Sequence, residues 1–392
     1  METMKIKLSE VIDNIAAGPF GSNLKVSCFV DYGFPIIDGA NLKGYKVTDN
    51  ITKFVTEEKA RSLHRSIAKR GDVVVTISGT LGQIAYIPTD SKFKEYLCSQ
   101  RQFRATFNPE RVYPPYLVFY FHTWEGKHKI LSFANQTGVP ALSQPLKNFK
   151  NIIIELPSIE VQKKIASFCE MLNDKIEQNN KINKNLSEQL QALYTSEFDV
   201  TIHHATAKLS DICHYSVEKV NVDELSTKTY YSTENMQPNK VSSVEATNLP
   251  NIKQTTRCHK GDVLVSNIRP YFKKIEYVTT ECGCSTDVLC FVPASKELSA
   301  FLYETLYADR FFDYMVAGSK GTKMPRGDKQ QIMQYEVVMP SSEQLLAFNA
   351  AATPMLALIT NGLLENERLS MLRDSLLPRL MAGELDVSDI DF

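Results

Sequence analysis

The chain has 392 residues, 43% of them apolar and 23% charged, with a formal net charge of −1. That length allows two or three domains with proper cores, and the near-neutral balance excludes a global polycation built for nucleic acid. The apolar runs at residues 116–121 and 152–154 are strand length and far too short to cross a bilayer.

The opening residues lack the basic-then-apolar pattern of a signal peptide, so a cytoplasmic location with eight reduced cysteines is expected. Residues 56–69 are predicted to form a short helix, and residues 59–70 carry five positive charges and no acid. Gly71-Asp72 is a turn signal, and the Val73-Val-Val75 run after it favours a pleated, buried strand. Asn151-Ile-Ile-Ile-Glu-Leu-Pro157 reads as a further strand. After Pro157 the pattern turns helical, with Ser158 as N-cap and Ile165, Phe168, Leu172, Ile176, Leu186, Leu190 and Leu193 as its apolar stripe. His203-His204 falls in a connector. The strand signals then return, with Gly261-Asp262 before Val263-Leu-Val265, and residues 320–329 carry four positive charges against Asp328 alone. A second helix follows Pro340, with Phe348, Ala351, Met355, Leu358, Leu369, Leu372 and Leu376 as its stripe and Pro378 as its stop.

The two halves are copies. A shift of 183 positions lays Pro157, Ser158, Glu160, Ile176, Asn183, Leu186, Ser187 and Leu193 on Pro340, Ser341, Glu343, Ile359, Asn366, Leu369, Ser370 and Leu376. The globular parts repeat with a changing offset: Lys7-Leu-Ser-Glu-Val-Ile12 matches Lys208-Leu-Ser-Asp-Ile-Cys213, and Gly71-Asp-Val-Val-Val75 matches Gly261-Asp-Val-Leu-Val265. The expectation is an α+β chain of two tandem α/β domains, 1–157 and 200–340, each followed by a long helix, in 158–199 and, with a tail, in 341–392. Each helix of about 40 residues would be about 60 Å long. Two such amphipathic helices joined through a domain should pair as an antiparallel coiled coil, with Asn179, Asn183, Gly362 and Glu365 interrupting its seam.

Several blocks carry a resemblance. They are Gly18-Pro-Phe-Gly-Ser-Asn-Leu-Lys25, Pro35-Ile-Ile-Asp-Gly-Ala-Asn-Leu-Lys-Gly44, Gly71 to Gln83, Ser99-Gln-Arg-Gln102, and the helical segments 156–166, 174–183 and 376–385. In this order, and twice over, they resemble the specificity subunit of type I restriction–modification systems. The second half departs from the pattern, with Ser266-Asn-Ile-Arg-Pro-Tyr271 in place of the Gly-Thr-x-Gly turn, which suggests a different target-recognition type. The resemblance implies a non-catalytic reader of double-stranded DNA with two target-recognition domains. It also implies two modification subunits and, for cleavage, two restriction subunits, with S-adenosylmethionine, ATP and magnesium needed by those partners only.

Reading DNA takes cations and backbone donors for phosphate, and Arg, Asn, Gln, Ser or Thr for base edges. The candidates are Ser22, Asn23, Arg61, Arg65, Thr80, Gln83, Arg101 and Gln102 in the first domain, and Asn267, Arg269, Tyr271, Lys273, Lys320 and Lys323 in the second. The loops Gln136-Thr-Gly-Val-Pro140 and Ser319-Lys-Gly-Thr-Lys-Met-Pro325 stand at equivalent places before the last strand and are further candidates. Other chemistries fit worse. Tyr113-Pro-Pro-Tyr116 lacks the polar first residue of an adenine methyltransferase motif, and no phosphate loop of P-loop spacing is present. Cys213-His214, Cys258-His259 and Cys282-Gly-Cys284 lack zinc-finger spacing. The rival readings are a coiled-coil scaffold without DNA readout and, behind it, a divergent DNA methyltransferase or nuclease.

Overall fold

The computed structural model describes residues 3–135 and 138–385, arranged as two compact units, Met1–Ile176 with Glu367–Phe392 and Glu177–Asn366. In the first unit, strand Thr3–Lys7 pairs antiparallel with Ile153–Pro157. A four-stranded antiparallel sheet follows in the order Ile12–Ala17, Gln102–Phe107, Val73–Thr76, Ile84–Tyr86. Its central strand is buried on both faces. Side chains alternate along a strand, so Val73 and Val75 enter one core and Val74 the other. The first core holds Phe103, Phe119 and Phe121, and the second lies under a mixed five-stranded sheet that runs from Phe29–Val30 to Ile67–Lys69.

The second unit repeats the plan. Ala207–Lys208 pairs with Glu336–Val337, and a four-stranded sheet runs Cys213–Tyr215, Val288–Pro293, Val263–Ser266, Ile275–Tyr277. Here Val263 and Val265 face one core and Leu264 the other. The matching Gly-Asp turns are equivalent down to their bonds. Gly71 and Gly261 both take positive φ, at 87° and 98°. Asp72 and Asp262, buried at 3% and 2% exposure, accept from the backbone N–H of Lys69 and His259 at 2.9 and 2.7 Å.

Both long helices are 40 residues, Ile159–Phe198 and Ser342–Met381, each capped by a serine: Ser158 Oγ accepts from Val161 N at 3.4 Å and Ser341 Oγ from Gln344 N at 3.2 Å. They pack together, and their direction is antiparallel. In the first unit Arg373 donates to Asn173 Oδ1 (2.7 Å). In the second, Asn179 donates to Glu365 Oε2 (2.8 Å) and Asn366 Oδ1 (3.0 Å), while Gly362 faces Asn183. Of the expected polar interruption, Asn179 and Glu365 are bonded to each other across the seam, whereas the buried Nδ2 of Asn183 has no hydrogen-bond partner among the described residues.

Three local expectations change. Residues 56–69 form only one helical turn and a half, Glu57–Ser62, before a 3-10 turn and the edge strand Ile67–Lys69. The apolar run 116–121, whose prolines suit either strand or helix entry, is helical, within Pro114–His122, because two prolines fit the first turn, where no N–H donor is needed. The C-terminal helix passes through both Pro354 and Pro378 to Met381, since Ala352 and Leu356 beside one proline, and Leu377 and Leu380 beside the other, are buried. Its seam also runs out of the expected phase, with Ala352 and Leu356 inside and Ala351 and Leu358 exposed. By length and composition this helix is also apolar enough to cross a membrane, which the short apolar runs did not suggest. Its buried side packs on the central helix and on both cores.

Candidate nucleic-acid interface

In the first unit, blocks far apart in the chain meet around one open cavity of about 600 Å³, lined among others by Asp38, Lys53, Thr80, Gln83, Arg101 and Gln102. Glycine permits the approach. A Cβ at Gly18 would lie 1.8 Å from the carbonyl oxygen of Ser99, and one at Gly21 would lie 2.7 Å from Gln100 Oε1. The turn bearing Ser22 and Asn23, both exposed, is thus pressed against residues 99–102. Gln83 is held by its neighbours: its amide oxygen accepts from Thr76 Oγ1 and its nitrogen donates to the carbonyl of Gly39, both at 3.1 Å. Gln102, 1% exposed, accepts from the Ser99 hydroxyl and lies under the cavity floor. Thr80 and Arg101 are exposed at the rim, and no acid among the described residues pairs with the Arg101 guanidinium.

Asp38 brings a negative charge to this cleft. Burial opposes its ionisation, but hydrogen bonds from Lys53 (2.6 Å) and from Ala40 N (2.9 Å) outweigh it and hold the carboxyl below its usual range. The basic segment 59–70 lies apart from the cavity lining. Arg61 bridges Glu57 (2.8 Å) and Glu95 (2.7 Å) over the Phe34 ring, and lines a separate pocket. Arg70 bonds the carbonyls of Ser91 and Phe93, whereas Arg65 is exposed. Of the first-domain candidates, Thr80, Gln83, Arg101 and Gln102 are therefore gathered at one cavity, and Arg61 is not.

The second unit builds an equivalent loop pair with different side chains. In the first unit Gly79 N donates to Pro140 O (2.9 Å), and Ser78 bridges Ala141. In the second, Arg269 N donates to Pro325 O (2.8 Å), and Ile268 bridges Arg326. The expected equivalence of the two late loops holds in these contacts, although Gln136 and Thr137 lie outside the described residues. At the matching turn position φ is positive in both units, 95° at Gly79 and 50° at Arg269. A non-glycine residue there costs about 1–2 kcal/mol, and strain of this kind gathers at functional loops. Asn267 is 7% exposed with an unpartnered Oδ1, and the Nε of Arg269 is likewise buried without a partner. Tyr271 is half exposed against Phe272.

The second-unit lysines divide. Lys273 and Lys240 both donate to Asp309 at 2.8 Å, and Lys320 pairs with Asp328 at 2.7 Å. Lys323 is exposed, and its carbonyl receives Arg269 Nη2 at 3.5 Å. Sequence reasoning passed over Arg326, which pairs with Asp287 (3.2 Å) inside this loop pair, although it stood in the basic run 320–329. It also passed over Asp38 and Gln100, whose only sign was membership of the motif blocks, and Lys53, which lies outside them. Cys258, Cys282, Cys284 and Cys290 share one buried core, yet among the described residues no three acids, histidines or cysteines are arranged to hold a metal ion.

Comparison with known proteins points one way. Residues 4–188 match the model of the type I restriction modification DNA specificity domain. Nothing among the curated proteins matches the chain. Among solved structures, the type I restriction–modification S subunit from M. genitalium is 13% identical, with 97% of this chain and 96% of that one covered at a TM-score of 0.59, a likeness of fold. The HsdS subunit from Thermoanaerobacter tengcongensis is 14% identical over 98% and 97% of the two chains, at a TM-score of 0.37. A chain from a structure of type I R-M complex assembly and conformational transition is 15% identical over 98% of each, at 0.46.

Proposed function

With a type I restriction–modification DNA specificity domain in its first half and a second unit of the same plan, we propose that this chain reads a two-part, interrupted DNA site. It is a non-catalytic specificity subunit, partnered with restriction–modification subunits and DNA. The observation that carries the two-part reading is the repeated loop pair. The same backbone bonds present a glycine turn beside Arg101 in one unit and the strained Arg269 loop in the other. One scaffold with two sets of side chains suits two different half-sites.

Thr80 and Arg101 in the first unit, and Tyr271 and Lys323 in the second, are exposed for contact, with the partly buried Arg269 beside the latter two. Gln83, Gln102 and Asn267 support them from below. The long helices set the gap between half-sites and receive two modification subunits. Restriction subunits join for cleavage, and S-adenosylmethionine, ATP and magnesium belong to those partners in the cytoplasm.

The test is selection of bound duplexes from a random pool by the chain co-purified with its modification partner at controlled salt. Two short words at a fixed gap are expected, and shortening the helix Ile159–Phe198 by whole turns should change the gap and not the words. No enrichment from a folded complex would refute DNA reading and favour the scaffold alternative.

A further inference from the structure

The turn at the mouth of the first cleft exposes an aromatic ring that packing does not explain. Phe20 is 84% exposed. A phenylalanine left in water forgoes the burial that ordinarily stabilises a fold. The turn is nevertheless fixed. Gly18 N donates to Gln102 O and Asn23 N to Phe20 O, each at 2.8 Å, and a Cβ at Gly18 would collide with the Ser99 carbonyl at 1.8 Å, while Gly21 lies against the Gln100 side chain. Phe20 is thus held outward beside the segment that carries the unpaired Arg101. Val26, 80% exposed, stands on the same rim. The second unit carries an exposed aromatic of its own, Tyr271, between the positive-φ residues Arg269 and Lys273.

A fixed apolar ring, on a turn bonded to the segment whose Arg101 guanidinium has no acid partner among the described residues, suits a duplex. The cation holds the backbone while the ring slides between two base pairs and unstacks them. We propose that Phe20 is such a wedge, inserted at a base step of the first half-site, so that the deformability of that step becomes part of the readout. This rests on the DNA-reading function proposed above.

The experiment uses the complex with the modification subunits and a duplex enriched from the random pool, carrying 2-aminopurine at successive positions of the first half-site. Wild type should raise the fluorescence at one step. Phe20→Ala should abolish that rise and weaken specific binding by about tenfold, with the salt dependence and the affinity for a shuffled duplex unchanged. Phe20→Trp should keep both the rise and the affinity. Because the ring is exposed, neither substitution should alter the melting temperature. Phe20→Ala that binds the enriched duplex within twofold of wild type, or leaves the fluorescence rise intact, overturns the wedge and leaves DNA reading standing. A wild-type complex that enriches no duplex overturns DNA reading and the wedge with it.

Discussion

Glu304 offers a test of the second unit that needs no DNA. It lies on the helix Ser299–Tyr307, 2% exposed, with Oε2 unpartnered. Burial pushes its carboxyl up to about 8 from the ordinary 4.5, and the Lys240 charge only partly opposes this. Near pH 7 the folded chain keeps the proton that the unfolded chain releases. Its contribution is therefore whole below pH 4.5 and is lost as pH rises toward 8. At pH 7 the loss is about 3 kcal/mol, and at pH 5 about 1 kcal/mol, at 1.36 kcal/mol for each pH step. Glu304→Gln has nearly the same shape and no proton to lose. It should raise stability by about 3 kcal/mol at pH 7 and by about 1 kcal/mol at pH 5. The assay is thermal or urea unfolding across pH 5–8, with hydrogen exchange to assign the transition to the second unit. A variant no more stable than wild type, or one whose advantage does not grow with pH, would refute the argument from burial.

Two further outcomes are expected. Arg101→Ala should weaken DNA binding by about 1–3 kcal/mol in a salt-titrated equilibrium assay, whereas Arg61→Ala, already engaged by Glu57 and Glu95, should change it less than about threefold. Equal losses would show that the cavity does not mark the interface. In the helix pair, a Cβ on Gly362 would lie 2.6 Å from Asn183 Oδ1, so Gly362→Ala should not deliver the usual helix gain of about 1 kcal/mol. Adding Asn183→Ala should restore that gain in melting experiments. Gly362→Ala that stabilises by itself would mean that the asparagine moves aside freely.

Much of this protein could be read from local signals. The offset between Pro157 and Pro340, the Gly-Asp turns and the serine-capped helices depend on neighbours a few residues away, so periodicity and turn chemistry reveal them. The candidate interface was legible only as regions. Arg61 and Arg101 sit in equally polar stretches, but Glu95, 34 residues beyond Arg61, satisfies one of them and no acid among the described residues pairs with the other. Gln102 belongs to an exposed-looking Ser-Gln-Arg-Gln block, yet its side chain is buried.

The sequence by itself determined the duplication, the two helices of equal length and their antiparallel partnership, because an apolar stripe 40 residues long has to be covered and the other copy is its match. Tertiary structure decided the phase of the second stripe and the passage of its helix through Pro354 and Pro378, because burial of Ala352, Leu356, Leu377 and Leu380 outweighs local helix preference. It alone decided which cations remain unpaired. Ion pairing acts over a few ångströms of space and takes no account of distance along the chain.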